Sequence, residues 1–209
     1  MTFCKVIRFF LKKLQKYLVD IKTLLIFATL IQNVMRVLIL TNRAEAHDIA
    51  VSTENRKNKY DVLVLPKDTV ECVARLSIEL HNDLLKDETY DLVVYVDSAV
   101  GGYACNLGDF AVPRCIMLDD DVSVELSRTF KFSPICFDIN DEYEQAFLNE
   151  NNGNVVLMCN ASYILRVCQL YEYDLMVIGR IDSLPQFGST CEDVRPLSLA
   201  VDFIENTIK

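Results

Sequence analysis

The sequence predicts an α/β protein: a three-layer α/β/α sandwich around a mainly parallel, Rossmann-like sheet, with a helix at the N-terminus. Three observations predict it. Short runs of Val, Ile and Leu recur with little apolar/polar alternation, as in strands buried on both faces. Stretches with helical spacing separate most of these runs. The resulting β-α-β order implies right-handed crossovers that lay helices on both faces of one sheet.

Residues 3–31 read as the N-terminal helix. Val6, Phe10, Leu14, Tyr17 and Ile21 share a stripe, with Lys12, Lys13 and Lys16 largely off it. The uncharged stretch from Thr23 to Met35 is shorter than the roughly 20 residues that span a bilayer. Three readings stay open. Residues 1–35 are an amphipathic helix making weak membrane-surface contact or serving as a targeting sequence, an extra helix packed on the domain or a partner, or a segment ahead of a true start at Met35. Residues 36–209 form the α/β domain.

The strand candidates are Val37–Leu40, Val62–Leu65, Leu92–Val96, Cys115–Leu118, Ile135–Phe137, Val155–Cys159 and Leu175–Ile178. Tyr60-Asp61, Tyr90-Asp91 and Tyr173-Asp174 open three of them, which suggests shared chemistry at one sheet edge. Asp68 caps a helix over 69–86, with Glu71 completing a capping-box-like start and Val73, Leu76, Leu80 and Leu84 as the buried stripe. Asp121 can cap 122–131, Asp141 can begin 142–150, and Ser162 can cap 163–171. Asp193 or Pro196 opens a last helix to Thr207. Residues 149–154 and 182–192 read as surface loops.

The 209 residues are 51% hydrophobic and 24% charged, which suits one globular domain with room for an appended segment. A formal net charge of −9 argues against nucleic acid as a partner of the chain as a whole. The eight cysteines form no Cys-x-x-Cys pair and only two histidines accompany them, so no zinc site is expected. Most sit in apolar runs, as reduced core cysteines of a cytoplasmic protein do. His47 and His81 read as solvated.

Ligands of such sheets sit at the carboxyl ends of the strands. Thr41-Asn42-Arg43-Ala44-Glu45 follows the first run. Asp97-Ser98-Ala99-Val100-Gly101-Gly102 follows the third, then Pro113-Arg114-Cys115. After the fourth comes Asp119-Asp120-Asp121-Val122-Ser123-Val124-Glu125-Leu126-Ser127-Arg128-Thr129-Phe130-Lys131. Over residues 36–137 this series resembles the type B ribose-5-phosphate isomerase and galactose-6-phosphate isomerase family. Arg114, Asp120, Ser123, Leu126, Ser127 and Arg128 fall on matching positions. The resemblance implies aldose–ketose isomerisation of a phosphorylated pentose or hexose in a homo- or hetero-oligomer, with no cofactor and no metal. It places Asp97 where the family has its catalytic cysteine, as a base for enediol chemistry. Asn42, Arg43, Ser98, Gly101, Gly102, Asp119 and Arg128 would bind the sugar phosphate. The family's histidines map to Arg43, Asp119 and Phe130, so the ring-opening acid–base groups are replaced.

Each residue also has a plainer reading. Asp97 suits a helix N-cap, Gly101 and Gly102 suit a turn, and Arg43 suits an exposed surface. Asp119–Asp121 suits a helix start, or a divalent metal if the chain were a metal-dependent glycosyltransferase. A non-catalytic relative that keeps the isomerase fold as a binding or regulatory subunit is the remaining alternative.

Overall fold

The computed structural model describes residues 34–41, 45–119, 122–127, 133–138, 154–184, 189–190 and 195–208. All but Val34 belong to one unit, Met35–Lys209. The helices expected over 3–31 and 142–150 lie outside the described residues, as do Asp193 and most of the 182–192 and 149–154 loops.

In chain order the elements are β1 (Arg36–Thr41), α1 (Ala46–Thr53), β2 (Lys59–Val64), α2 (Thr69–Leu85), β3 (Leu92–Gly101), β4 (Phe110–Ala111), β5 (Cys115–Asp119), β6 (Val122–Glu125), β7 (Ile135–Asp138), β8 (Val155–Met158), α3 (Ala161–Leu170), β9 (Leu175–Leu184), β10 (Ser189–Thr190) and α4 (Leu199–Thr207). All seven apolar runs are strands. The architecture is the predicted three-layer α/β/α sandwich with a mostly parallel sheet. Alternate residues of each central strand feed opposite layers. Leu38, Leu40, Val93, Tyr95, Leu175 and Val177 pack with α2 and α3, through Leu76, Leu80, Ile164 and Cys168. Val37, Ile39, Val94, Val96, Met176 and Ile178 pack with α1 and α4, through Ile49, Val201 and Ile204.

Local signals explain the helix ends. The Asp68 side chain accepts the Glu71 N–H at 3.0 Å and starts α2 as expected. Its buried positions are Cys72, Leu76, Leu80 and Asp83, so the stripe is rotated from the predicted one and Leu84 is 45% exposed. The short α1 shows little apolar periodicity, with Ile49 its one buried residue. At α3 the N-cap is Asn160, in left-handed backbone at φ 59°. Ser162 lies inside that helix, and its N–H and hydroxyl both bond the Asp138 carboxylate at the end of β7.

Members of the three Tyr-Asp pairs gather around Arg36 at the amino edge of the sheet, while Tyr60 turns to the other layer and donates to Glu205 at 2.7 Å. Arg36 donates to Asp61 at 2.9 Å, and its N–H bonds Asp91 at 2.7 Å. Its guanidinium lies 4.3 Å from the Tyr90 ring centre, and Tyr90 packs edge-on to Tyr173 at 6.2 Å.

Two parts of the topology depart from the prediction. First, residues 122–125 form a strand rather than a helix capped by Asp121. Met117 pairs with Ser123 and Cys115 with Glu125 in an antiparallel hairpin, and Asp119 pairs with Val122 across its turn. The Val-Ser-Val-Glu alternation has period two, and the open edge of β5 supplies the hydrogen bonds. Second, β3 changes neighbours. Parallel β1 covers Leu92–Tyr95, then β8 joins antiparallel at Val100 and Gly101. Strand β9 runs parallel along the other edge of β3 from Val93 to Val100. Strands β8, β7 and β5 are parallel to one another and extend the sheet from that junction.

Candidate functional site

The change of neighbour leaves a switch point where the carboxyl ends of β1 and β8 face each other beside Asp97 and Ser98, midway along β3. Such a switch point is where open α/β sheets bind ligands. One sheet face here is turned to α2 and α3. Here Tyr95, which is fully buried, donates its hydroxyl to the Asp97 carboxylate at 2.9 Å and lies 2.6 Å from the Cys159 carbonyl. Burial and the adjacent Asp97 hold the Tyr95 phenol well above the ordinary range, so it stays protonated. The other Asp97 oxygen accepts the Ser98 N–H at 2.8 Å. Asn160 donates to the Lys67 carbonyl at 3.0 Å and pairs with the Thr69 hydroxyl at 2.8 Å. These bonds hold Asn160 in its left-handed conformation, which costs a non-glycine residue roughly 1–3 kcal/mol. Burial, then Asp97 and Asp138, push the half-buried Cys159 thiol up, so it stays neutral.

The other sheet face is turned to α1 and α4 and centres on Arg180. Its side chain is 5% exposed. It grips Asp182 with two bonds, at 2.7 and 3.1 Å, donates to Glu45 at 3.2 Å, and reaches the Arg195 carbonyl at 2.9 Å. Burial alone would lower the Arg180 pKa, but the carboxylates of Asp182 and Glu45 more than offset that and raise it. Arg180 is therefore a permanent buried cation holding two carboxylates that keep partial access to solvent, 23% for Asp182 and 33% for Glu45. Phe110 and Ala111 of β4 pair with Arg180 and Gly179 along the open edge of β9.

Of the residues singled out by sequence, Asp97, Ser98, Gly101 and Gly102 lie on or just past β3, and Asp119 lies apart from them. Asp97 is 2% exposed and bonded on both oxygens. Ser98 lies in register with Arg180 on the neighbouring strand. At Gly101 a Cβ would come within 2.7 Å of the Cys105 Cβ, so close packing explains the missing side chain. The Gly102 N–H is engaged by the Val155 carbonyl at 2.9 Å and is not turned to an anion. Asp119 ends β5, with β8 and β7 between it and β3. Three strand spacings put it roughly 14 Å from β3. Asn42, Arg43, Arg128, Asp120 and Asp121 lie outside the described residues. Among the described residues no three His, Cys, Asp or Glu side chains are grouped to hold a metal, and no helix is long and apolar enough to cross a membrane. His47 and His81 are exposed.

No protein family model and no curated protein matches the sequence. Solved structures do match. A futalosine hydrolase from Helicobacter pylori superposes with a TM-score of 0.61 at 11% identity, covering 84% of this chain and 98% of that one. The 5′-methylthioadenosine/S-adenosylhomocysteine nucleosidase of Campylobacter jejuni gives 0.59 at 11% identity, over 83% and 98%. Its Chlamydia trachomatis counterpart gives 0.58 at 14% identity, over 84% and 100%. The chain has the fold of these nucleosidases.

That finding corrects the resemblance to sugar-phosphate isomerases and the isomerase function drawn from it. The segment that carried most matched positions was expected to be a helix over 122–131, but Val122–Glu125 is the second strand of a hairpin. The alternatives, a non-catalytic relative on the isomerase fold and a metal-dependent glycosyltransferase, go with it. The phosphorylated sugar expected as partner is corrected too, because the matching proteins are named for nucleosides. Sequence reasoning passed over Arg180, Asp182, Cys159 and Asn160, and treated Glu45 only as part of a turn. The available signal was a lone arginine two residues beyond the apolar run Leu175–Ile178, where a strand continuing into the core would carry no charge.

Proposed function

We propose that this chain binds a nucleoside at this switch point and hydrolyses its N-glycosidic bond. The observation that carries the proposal is the buried Arg180 holding Glu45 and Asp182, beyond the carboxyl end of β1 and on β9, in a fold shared with nucleosidases. The reaction needs two proton transfers. The bond from C1′ to the base nitrogen breaks through an oxocarbenium-like transition state. Water adds to C1′ and the leaving base gains a proton. A carboxylate accepts the proton of the attacking water, and a carboxylic acid delivers one to the base. Two carboxylates fixed by one guanidinium offer both positions, and the carboxylate that takes the water proton thereby becomes the acid for the departing base. The net negative charge of Glu45, Asp182 and Arg180 together would also stabilise a cationic sugar bound beside them. The Ser98 hydroxyl, beside Arg180 in the sheet, is placed to bond a ligand hydroxyl.

The test incubates the chain with adenosine, inosine and 5′-methylthioadenosine, follows free base by chromatography, and measures binding separately by calorimetry. Wild type is expected to release base from at least one of them. The variants E45Q and D182N should each lower turnover by roughly 10²–10⁴-fold while retaining binding. Absence of both binding and release overturns the proposal. Binding without release removes the hydrolysis.

A further inference from the structure

Past Gly101 the chain loops through residues 102–109 before entering β4, and this loop borders a cavity of about 380 Å³. The loop is pinned at both ends. The Gly102 N–H bonds the Val155 carbonyl at 2.9 Å, and the Gly108 N–H bonds the Ile181 carbonyl at 2.8 Å. Between them the Cys105 thiol lies 3.6 Å from the Val155 carbonyl. Backbone fixed in this way keeps the cavity preformed, as small-molecule sites are. Asn154, on the cavity wall, precedes β8, whereas Cys159 and Asn160 of the switch point follow it. The four residues of β8 put about 13 Å between those two ends. Ile181 also lines the cavity, and its side chain leaves β9 on the opposite face from that of Arg180.

The lining selects the occupant. Phe110, Val112, Ile181 and Phe203 make apolar walls that suit a flat ring. The polar groups are Asn106, Asp109, Ser133 and Asn154, and among the described residues no lysine, arginine or histidine lines the cavity. Asn106 donates to one Asp109 oxygen at 3.1 Å and steadies the carboxylate. Arg195 approaches the other oxygen only to 3.7 Å, beyond hydrogen-bond length, and its side chain is 62% exposed. Each Asp109 oxygen keeps an acceptor position for a closer donor. A planar cation can bond both oxygens at once, which is the stronger arrangement. The formal net charge of −9 adds a field that draws cations and repels anions.

We propose that this cavity is a binding site for a small aromatic cation, whose ring lies against Phe110, Val112 and Ile181 and whose charged nitrogens bond Asp109. The ligand competes with Arg195 for the carboxylate and displaces a loose, solvated partner with a closer one. The Arg195 carbonyl, which accepts from Arg180 at 2.9 Å, is main chain and keeps its place when the side chain leaves Asp109. The site stands apart from nucleoside hydrolysis, since neither its polar groups nor its test uses that reaction.

Benzamidine, benzamide and benzoate test the proposal, because they share a ring and nearly one shape but differ in charge. Each is titrated into the full chain and followed by ligand-detected NMR. Benzamidine is expected to bind with a Kd of about 1 mM, a range suited to so small a molecule. Benzamide should bind about tenfold more weakly, and benzoate not measurably. Iodoacetamide at pH 8 locates the ligand. At about 5 mM benzamidine, half-buried Cys105 should be labelled about sixfold more slowly, while Cys159 at the switch point keeps its rate. D109N should weaken benzamidine about tenfold, to the level of benzamide. R195A should tighten it about two- to fivefold, because the competing guanidinium is gone. Ala104 is exposed at the rim, so A104W should block entry without touching the core. Circular dichroism checks that the three variants keep the fold. No benzamidine binding at about 10 mM overturns the proposal. So do benzoate binding as tightly as benzamidine, equal protection of Cys105 and Cys159, and an affinity indifferent to D109N or weakened by R195A.

Discussion

Replacing Arg180 with methionine tests whether the guanidinium organises the site. Methionine fills much of the same volume, so the loss reports polar contacts rather than a cavity. Four bonds disappear: two to Asp182, one to Glu45 and one to the Arg195 carbonyl. Removing one partner of a buried ion pair costs about 3–5 kcal/mol when the other stays buried. Here the orphaned carboxylates are 23% and 33% exposed and recover part of that from water. A loss of roughly 2–4 kcal/mol is expected. For a domain of this size each kcal/mol lowers Tm by about 2–4 °C, so R180M should melt about 4–16 °C below wild type. R180K keeps the charge but not the fork, and should lose about half as much. The assay is thermal unfolding followed by circular dichroism, combined with a double-mutant cycle against D182N. The cycle should return a coupling above about 1 kcal/mol. If R180M melts within about 1 °C of wild type, or the coupling is zero, Arg180 does not hold the carboxylates and the proposed site loses its organiser.

Gly179→Ala should destabilise by about 1–3 kcal/mol, because the new Cβ would lie 2.8 Å from the Ala99 Cβ and 3.0 Å from the Met158 sulfur. Adding A99G should recover part of that loss in denaturant melts. Asp138 has a carboxyl pKa raised by burial, only partly offset by its bonds to Ser162 and Ala161. A raised folded pKa favours folding most below the ordinary carboxylate value and loses that contribution as pH rises through the folded value. Wild-type stability should therefore fall across that window relative to D138N, measured by urea titration at several pH values. Burial pushes the Cys72 thiol to about 11 and the Cys168 thiol to about 12. Iodoacetamide at pH 8 should accordingly modify half-buried Cys105 and Cys159 before either, as peptide mapping would show. Labelling of Cys168 as fast as Cys105 would refute its burial.

The sequence alone determined the secondary elements whose signals are local. Runs such as Leu92–Val96 and Leu175–Ile178 announce burial on both faces, and Asp68 starts a helix by accepting a bond from the N–H three residues on. Even the Tyr-Asp starts were legible as one edge. Tertiary structure decided who neighbours whom. An apolar run says that a strand is buried, but its pairing partner is set by backbone hydrogen bonds that carry no side-chain signature. The exchange of β1 for β8 along β3 was therefore invisible, as was the pairing of Val122–Glu125 with β5. The same holds for the candidate site. Glu45 and Arg180 lie 135 residues apart and meet only because the sheet folds their strand ends together. Their pairing is a property of the assembled sheet, since neither residue has a local reason to find the other.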